Sequence, residues 1–116
     1  MPQKSAAPGR LYDNAAVFAA LGDATRLRLV ARLCENGPQS IVRLTEGGEV
    51  SRQAVTKHLR ALEHAGLVRS GRSGRERLWE VRTQRLAEAR RCLDQISEQW
   101  DHALERLRSL VEADSR

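Results

Sequence analysis

The chain has 116 residues, of which 20 are Lys or Arg and 15 are Asp or Glu, so its formal net charge at neutral pH is +5. A chain of this length forms one domain with one modest core. Its longest apolar run, residues 15–21, is far shorter than the ~18 residues that span a bilayer. The polar first ten residues lack the apolar centre of a secretory signal. We therefore expect a soluble cytoplasmic protein that neither crosses a membrane nor is secreted.

The basic charge is concentrated in one segment. Residues 51–77 hold seven basic and two acidic side chains, a net +5, so the other 89 residues sum to zero. A local excess of this kind is typical of a site that binds a polyanion, and favours a nucleic acid. Only four aromatic residues are present, too few for the base stacking that single-strand and RNA-loop binders use, so duplex DNA is favoured.

The first two predicted helices are short and capped. Asp13 or Asn14 is expected to cap a helix over residues 15–21, and Asp23 to cap a second over residues 24–36. Helical spacing gives the second helix an apolar face. The residues of that face are Leu27, Val30, Ala31 and Cys34.

The next two predicted helices form a helix-turn-helix. Ser40 is expected to cap a short third helix and Ser51 a fourth, which ends at Gly66. At 100° per residue the fourth helix has an apolar side and an opposite polar, mostly basic side. The apolar side consists of Val55, Leu59 and Leu62, and the polar side of Gln53, Thr56, Lys57, Arg60 and His64. Two helices joined by a glycine turn, the second basic outside and apolar beneath, form this motif.

A β-hairpin is predicted next, with strands over 67–70 and 77–81 around a Gly-rich turn. Trp79 and Val81 would share one face and Leu78 would lie on the other. A helix-turn-helix followed by a basic hairpin is the winged form of the motif. The hairpin tip carries arginines suited to phosphates or a minor groove.

The last predicted helix runs from a Thr83 cap to about Val111 and carries a heptad seam over more than three heptads. The seam consists of Leu86, Ala89, Leu93, Ile96, Trp100, Ala103, Leu107 and Leu110. So long a strip exceeds what a small domain covers by itself, which favours a dimer interface. The interface is predicted to include the seam and Phe18. Packing of the seam against the chain's own first helix is the alternative.

The predicted fold is mainly α with a small β-hairpin, a winged helix-turn-helix of order α-α-α-α-β-β-α with a long C-terminal dimerisation helix. The DNA-binding and dimerisation domain is expected over residues 11–112. Disordered tails are expected over 1–10 and 113–116.

The chain resembles the ArsR family of bacterial winged-helix repressors over about residues 12–112. The resemblance lies in three stretches: LGDATRLRLVARL (21–33), VSRQAVTKHLRALEHAGLV (50–68) and GRERLWEV (74–81). The tail QISEQWDHALERLRSLVE is similar to the branch of small autorepressors and regulators without metal sites.

The resemblance implies a homodimer, in the bacterial cytoplasm and associated with the nucleoid, that binds an imperfect inverted repeat in a promoter. It would repress its own or neighbouring genes until a signal releases it. The implied DNA contacts are Ser51, Arg52, Gln53, Thr56, Lys57 and Arg60 in the major groove and Arg72, Arg75 and Arg77 on the wing. Side-chain chemistry supports these roles, because Gln pairs with an adenine edge and Arg with guanine, whereas Lys57 suits a phosphate.

No metal ligand and no cofactor are predicted. The third helix lacks the C-x-C of the family's thiolate sensors, and no second histidine follows Asp101 and His102. Cys34 and Cys92 are too few for a disulfide framework and are interpreted as packing thiols. A redox-responsive branch of the family pairs cysteines of the second and last helices, so a thiol- or redox-responsive repressor that uses these two residues is an alternative, although their positions along the helices differ from that branch.

Other function classes fit parts of the pattern. No phosphate-binding glycine motif or Ser/His/Asp arrangement is present, so no enzyme and no catalytic residue is predicted. A protein-interaction module that uses the last helix, and a less specific DNA-binding protein, are the remaining alternatives. No recognisable motif identifies the operator, the regulated genes, a small-molecule or redox inducer, or the choice between repression and activation.

Overall fold

The computed structural model describes residues 7–114, with side chains from residue 14 onward. Within this range the chain forms α1 (Ala7–Leu21), α2 (Ala24–Asn36), α3 (Ile41–Thr45), α4 (Arg52–His64), β1 (Val68–Ser73), β2 (Glu76–Val81) and α5 (Thr83–Asp114). The strands pair as one antiparallel hairpin. This order confirms the predicted mainly α, winged helix-turn-helix fold.

Three predicted helix caps are confirmed. The Asp23 carboxylate accepts a hydrogen bond from the Arg26 amide at 3.0 Å. The Ser40 and Ser51 hydroxyl oxygens accept from the third residues of α3 and α4 at 3.3 and 3.2 Å. Each cap satisfies an amide that the first helical turn leaves without an intrahelical partner. The starts of α2, α3 and α4 are therefore determined locally.

The two terminal helices are longer than predicted. Helix α1 begins at Ala7, so the expected cap at Asp13 or Asn14 is wrong and both residues lie inside the helix. No proline interrupts it beyond the first turn, where a missing amide hydrogen is tolerated. Helix α5 contains Thr83 as its first residue, which is therefore not the cap, and continues to Asp114.

The expected domain limits at residues 11 and 112 consequently fall inside α1 and α5. Residues 1–6 and 115–116 of the two expected tails lie outside the described residues. At 1.5 Å per residue the 32 residues of α5 span roughly 48 Å. The molecule as a whole measures 71 Å along its longest axis.

The predicted apolar face of α2 is wrong by about one position. The buried residues are Leu29, Val30 and Leu33, whereas Leu27 is 53% exposed and Ala31 and Cys34 are also exposed. Apolar residues occur at so many positions of this helix that helical spacing alone defines two overlapping faces. The contacts of α2 with α4, α1 and β2 decide which face is buried.

The core lies where α1, α2, α4 and the hairpin meet. Its largest fully buried side chain is Trp79, and Val55, Leu59 and Leu62 form the buried side of α4 as predicted. The backbone of Trp79 also pairs with that of Gln39 through two hydrogen bonds, with N···O distances of 3.0 and 2.8 Å. This unpredicted bridge fixes β2 to the α2–α3 connection.

Helix α4 ends in a Schellman motif that turns the chain into the wing. The Gly66 amide donates to the Glu63 carbonyl and the Leu67 amide to the Leu62 carbonyl, both at 2.9 Å. Gly66 has φ +84°, a left-handed conformation that other residues adopt at a cost. This turn sets the angle between the fourth helix and the hairpin.

Candidate nucleic-acid interface

Helix α4 presents a polar face to solvent because its apolar side is buried. Arg52, Gln53, Lys57 and Arg60 are exposed, while the opposite side of the helix packs into the core. Thr56 is half-buried, and its hydroxyl donates to the Arg52 carbonyl at 2.8 Å. The residues predicted to enter the major groove therefore share one accessible side, with Thr56 at its edge.

Ser51 lies at the N-terminal end of this face. Its hydroxyl oxygen accepts from the Ala54 amide at 3.2 Å, which leaves the hydroxyl hydrogen available as a donor. The residue is exposed, and the start of a helix carries positive partial charge. Capping and a contact to an anion are therefore compatible at this position.

The wing places two arginines directly opposite each other. In the hairpin register Arg72 pairs with Arg77, and Gly74, with φ +65°, lies in the turn. Directly opposed like charges destabilise a strand pair. Arg77 donates to the Ser70 hydroxyl at 2.8 Å, but no hydrogen bond or ion pair engages Arg72 among the described residues. An anion beside this pair would remove the repulsion.

The two faces of the hairpin differ in charge. Alternate residues of a strand point to the same face, so Arg72, Arg77 and Trp79 share one face. On the other face Arg69 forms an ion pair with Glu80 at 2.7 Å. The uncompensated charge of the wing therefore lies on the side of the hairpin that also packs onto the domain. Arg75 lies in the turn and is exposed.

Arg60 joins the two parts of the basic surface. Its Cζ lies 5.9 Å from the centroid of the Trp79 ring, and its Nη1 lies 3.6 Å from the Glu63 carboxylate. The Arg60 side chain remains 61% exposed. The guanidinium predicted from sequence to contact a guanine thus lies at the junction of α4 with β2.

A polar cluster behind α4 was not predicted from sequence. Arg26 Nε donates to His58 Nδ1 at 3.2 Å, and the same ring nitrogen lies 3.8 Å from the Asp23 carboxylate. The hydrogen bond from the Arg26 amide holds the pKa of Asp23 below its ordinary value, and desolvation of the carboxylate opposes this effect in part. The spacing of these three residues along the sequence gives no sign that they are partners.

The two cysteines lie in different environments. Both thiols are free, and Cys34 is exposed whereas Cys92 is buried. The interpretation of Cys34 as a packing thiol is wrong, because the buried face of α2 is turned away from it. Cys92 packs in the first half of α5 as expected.

The predicted seam of α5 divides into two parts. Leu86 is half-buried against the core and Ala89 is buried, so the first part of the seam packs within the core of a single chain. Beyond it Trp100 is 65% exposed. The exposed strip of α5 consists of Leu93, Ile96, Trp100, Leu104, Leu107, Leu110 and Val111. Leu104 and Val111 widen the strip beyond the predicted heptad positions, Ala103 is half-buried, and Phe18 packs partly against the core.

No group of three or more His, Cys, Asp or Glu side chains in the described part of the chain has a geometry that could hold a metal ion. None of the helices between residues 7 and 114 has the length and apolar composition that a bilayer-spanning helix requires.

Comparison with known proteins gives consistent matches. The helix-turn-helix domain family matches residues 21–71. The HTH-type transcriptional regulator Rv2034 of Mycobacterium tuberculosis is 35% identical over 95 residues, covering 82% of this chain and 85% of that protein. An ArsR-like transcriptional regulator from Rhodococcus sp. RHA1 superposes with a TM-score of 0.76 at 37% identity, covering 88% of this chain and 95% of that one. The homodimeric winged helix-turn-helix domain of Mb0332 from Mycobacterium bovis shares the fold, with a TM-score of 0.62 at 23% identity and coverage of 85% and 91%.

The fold and its exposed basic helix define a winged helix-turn-helix transcriptional regulator, a class of DNA-binding protein and not a class of enzyme. The chain belongs to the ArsR family of these regulators, because relatives above 30% identity match it over most of both chains.

Proposed function

We propose that the protein is a homodimeric repressor that binds an inverted-repeat operator in duplex DNA and controls its own or neighbouring genes. The observation that carries the proposal is the common surface of α4 and the wing. Helix α4 turns its basic side to solvent, and the Arg72–Arg77 pair lies on the hairpin face shared with Trp79. One polyanion that follows this surface would engage both elements.

Within this surface, different residues are assigned to base edges and to phosphates. Gln53 is assigned to an adenine edge and Arg52 or Arg60 to a guanine edge, because the amide and guanidinium groups can each make a bidentate contact with those bases. Lys57, Ser51 and the wing arginines are assigned to the phosphate backbone, which positions the protein without reading sequence. Thr56, at the edge of the helix face, and Arg60, at the junction of α4 with β2, complete the contact set.

The proposal of a homodimer rests on the exposed strip of α5. Apolar side chains of this size in a continuous row are a liability for a soluble monomer, and a second copy offers a complementary surface through two-fold symmetry. The Mycobacterium bovis protein of the same fold is a homodimer. Two-fold symmetry then places two half-sites about one helical turn apart, or a multiple of it.

We place the protein in the bacterial cytoplasm at the nucleoid and in a branch of the family that does not sense metals. The thiol-responsive alternative has one supporting observation, the exposed thiol of Cys34. Peroxide treatment followed by peptide mass spectrometry tests it. A Cys34–Cys92 linkage that releases DNA would support it, and unlinked peptides with unchanged DNA affinity would exclude it.

The main test is fluorescence anisotropy with duplex DNA from the region upstream of the protein's own gene, titrated with random-sequence competitor. Binding that survives excess competitor is expected, and Lys57→Ala should weaken it. The matched control is Arg91→Ala, which removes an exposed charge of α5 and should have no effect. Four phosphate contacts per subunit from Lys57 and the three wing arginines predict a slope of log affinity against log salt on the order of −7 for the dimer. Binding that competitor abolishes, for this DNA and for any sequence selected from a random pool, would instead indicate a less specific DNA-binding protein.

A further inference from the structure

The polar cluster behind α4 links the recognition helix to the start of α2. Arg26 Nε donates to His58 Nδ1 at 3.2 Å, and Asp23, which caps α2, accepts from the Arg26 amide at 3.0 Å. The carboxylate also lies 3.8 Å from His58 Nδ1. One residue of the first turn of α2, Arg26, and the cap residue Asp23 therefore both contact the imidazole of His58 on α4.

The hydrogen bond between Arg26 and His58 is directional. A ring nitrogen that accepts from a guanidinium carries a lone pair, so the hydrogen of the neutral ring lies on Nε2. A hydrogen bond with a charged donor is stronger and shorter than one between neutral groups. The His58 side chain is only 24% exposed, so water competes little for its acceptor. The cluster therefore prefers one orientation of the imidazole.

The apolar contacts of α4 with the core do not have this property. Val55, Leu59 and Leu62 are buried apolar residues, and hydrophobic burial is non-directional. A rotation of α4 by about 10° at a radius of about 6 Å moves a surface atom by roughly 1 Å. Such a displacement is large for a bidentate contact with a base edge.

We propose that His58 is a positioning residue that fixes the rotation of α4 through Arg26 and so sets how Gln53 and Lys57 meet the DNA. This inference rests on the proposed function, since it concerns the same surface. Specific recognition depends on the rotation of α4, because base contacts have strict geometry. Non-specific attraction to phosphates depends chiefly on charge and tolerates the same rotation.

The experiment compares three variants. His58→Leu keeps apolar bulk and removes the acceptor, and Arg26→Met removes the donor. His58→Asn keeps an acceptor, since Asn Oδ1 occupies about the position of His Nδ1. Affinity is measured for the best sequence selected by the wild type from a random pool and for a scrambled duplex, after thermal unfolding and sedimentation have identified the variants that remain folded and dimeric.

We expect His58→Leu to lose about tenfold in affinity for the selected sequence, as from one good base contact, with less than a twofold change for the scrambled duplex. His58→Asn should have an affinity for the selected sequence within about threefold of that of the wild type. Arg26→Met should lose specific affinity to the same extent, and the double variant with His58→Leu should lose no more than either, because both remove one interaction.

Three results would overturn the inference: unchanged specific affinity in folded His58→Leu, equal losses on both duplexes, or additive losses in the double variant. Should His58→Leu not fold, Arg26→Met and His58→Asn decide by the same criteria. A wild type that selects no sequence from the pool would refute the proposed function itself, whereas a selective wild type with an equally selective His58→Leu would refute only the positioning role.

Discussion

Arg60 and Trp79 form the contact that joins the recognition helix to the wing. The guanidinium carbon lies 5.9 Å from the ring centroid, and the tryptophan is 1% exposed. A cation over an aromatic face is attracted by the ring quadrupole. The contact therefore gives a side chain of the DNA-binding surface a second, structural role.

Replacement of Arg60 by Gln should lower the free energy of unfolding by about 0.5–1 kcal/mol, the value of a cation–π contact at an exposed site. Arg60→Lys should retain part of it. Urea denaturation measures the change, with Lys57→Gln as control, because that exposed neighbour lacks an aromatic contact. Equal stability of Arg60→Gln and the wild type would show that the ring contact contributes nothing.

Replacement of Arg72 by Gln should affect stability and DNA affinity in opposite directions. Removal of one of two opposed arginines relieves repulsion and should raise the free energy of unfolding by about 0.2–1 kcal/mol. Loss of one phosphate contact per subunit in a dimer should reduce the salt slope by about 1.8.

The control for Arg72→Gln is Arg69→Gln on the same strand. Its ion pair with Glu80 lies on the other face, so its DNA affinity should not change. A loss of affinity in Arg69→Gln as large as in Arg72→Gln would contradict the assignment of the DNA-facing side of the wing.

Replacement of Gly66 by Ala should destabilise the protein. Its φ of +84° is left-handed, and an added Cβ would lie 3.0 Å from Arg85 Nε. The conformation alone costs an L-residue about 1–2 kcal/mol. Gly71→Ala is the matched control in thermal unfolding, since nothing lies within 4 Å of its Cβ position. Equal unfolding midpoints for the two variants would contradict this account.

Replacement of Leu107 by Lys should dissociate the proposed dimer, because it introduces a charge into the exposed apolar strip of α5. Analytical ultracentrifugation at micromolar concentration should then show a monomer. Glu98→Lys introduces the same residue at an exposed position outside the strip and should remain dimeric. A dimeric Leu107→Lys would place the interface elsewhere.

Acid should remove the contribution of Asp23 to stability. Its pKa is lowered, first by the hydrogen bond from the Arg26 amide. A lowered folded-state pKa gives stabilisation that is present above the unfolded value of about 3.9 and is lost as the pH falls through the folded value. Asp23→Asn keeps a capping oxygen without the charge. The difference in stability between wild type and variant should shrink below pH ~4, and a constant difference across the pH range would contradict this origin.

The sequence predicted most of the fold because its signals are local. Caps at Asp23, Ser40 and Ser51 and the glycine at the end of α4 act through nearby amides and carbonyls, and all four lie where expected. The first helix was predicted too short, since aspartate occurs both at helix caps and within helices, and Asp13 lies within α1. Local chemistry cannot distinguish those two cases without the preceding turn.

The sequence predicted which residue types form the candidate site, but it did not predict all of their contacts. The polar side of α4 follows from helical spacing, and the wing arginines follow from the hairpin pattern. The Arg26–His58 hydrogen bond joins residues 32 positions apart, and the Arg60–Trp79 contact joins a helix to a strand. Neither leaves a periodic signal in the sequence.

The sequence by itself determined the order of elements, the basic side of α4 and the apolar seam of α5, because charge and periodicity depend only on which residues occur at which spacing. Tertiary structure alone decided which face of α2 is buried, that Leu86 and Ala89 serve the monomer core, and which groups hold the recognition helix. Those outcomes depend on how separate elements pack, and several packings are compatible with the same local pattern.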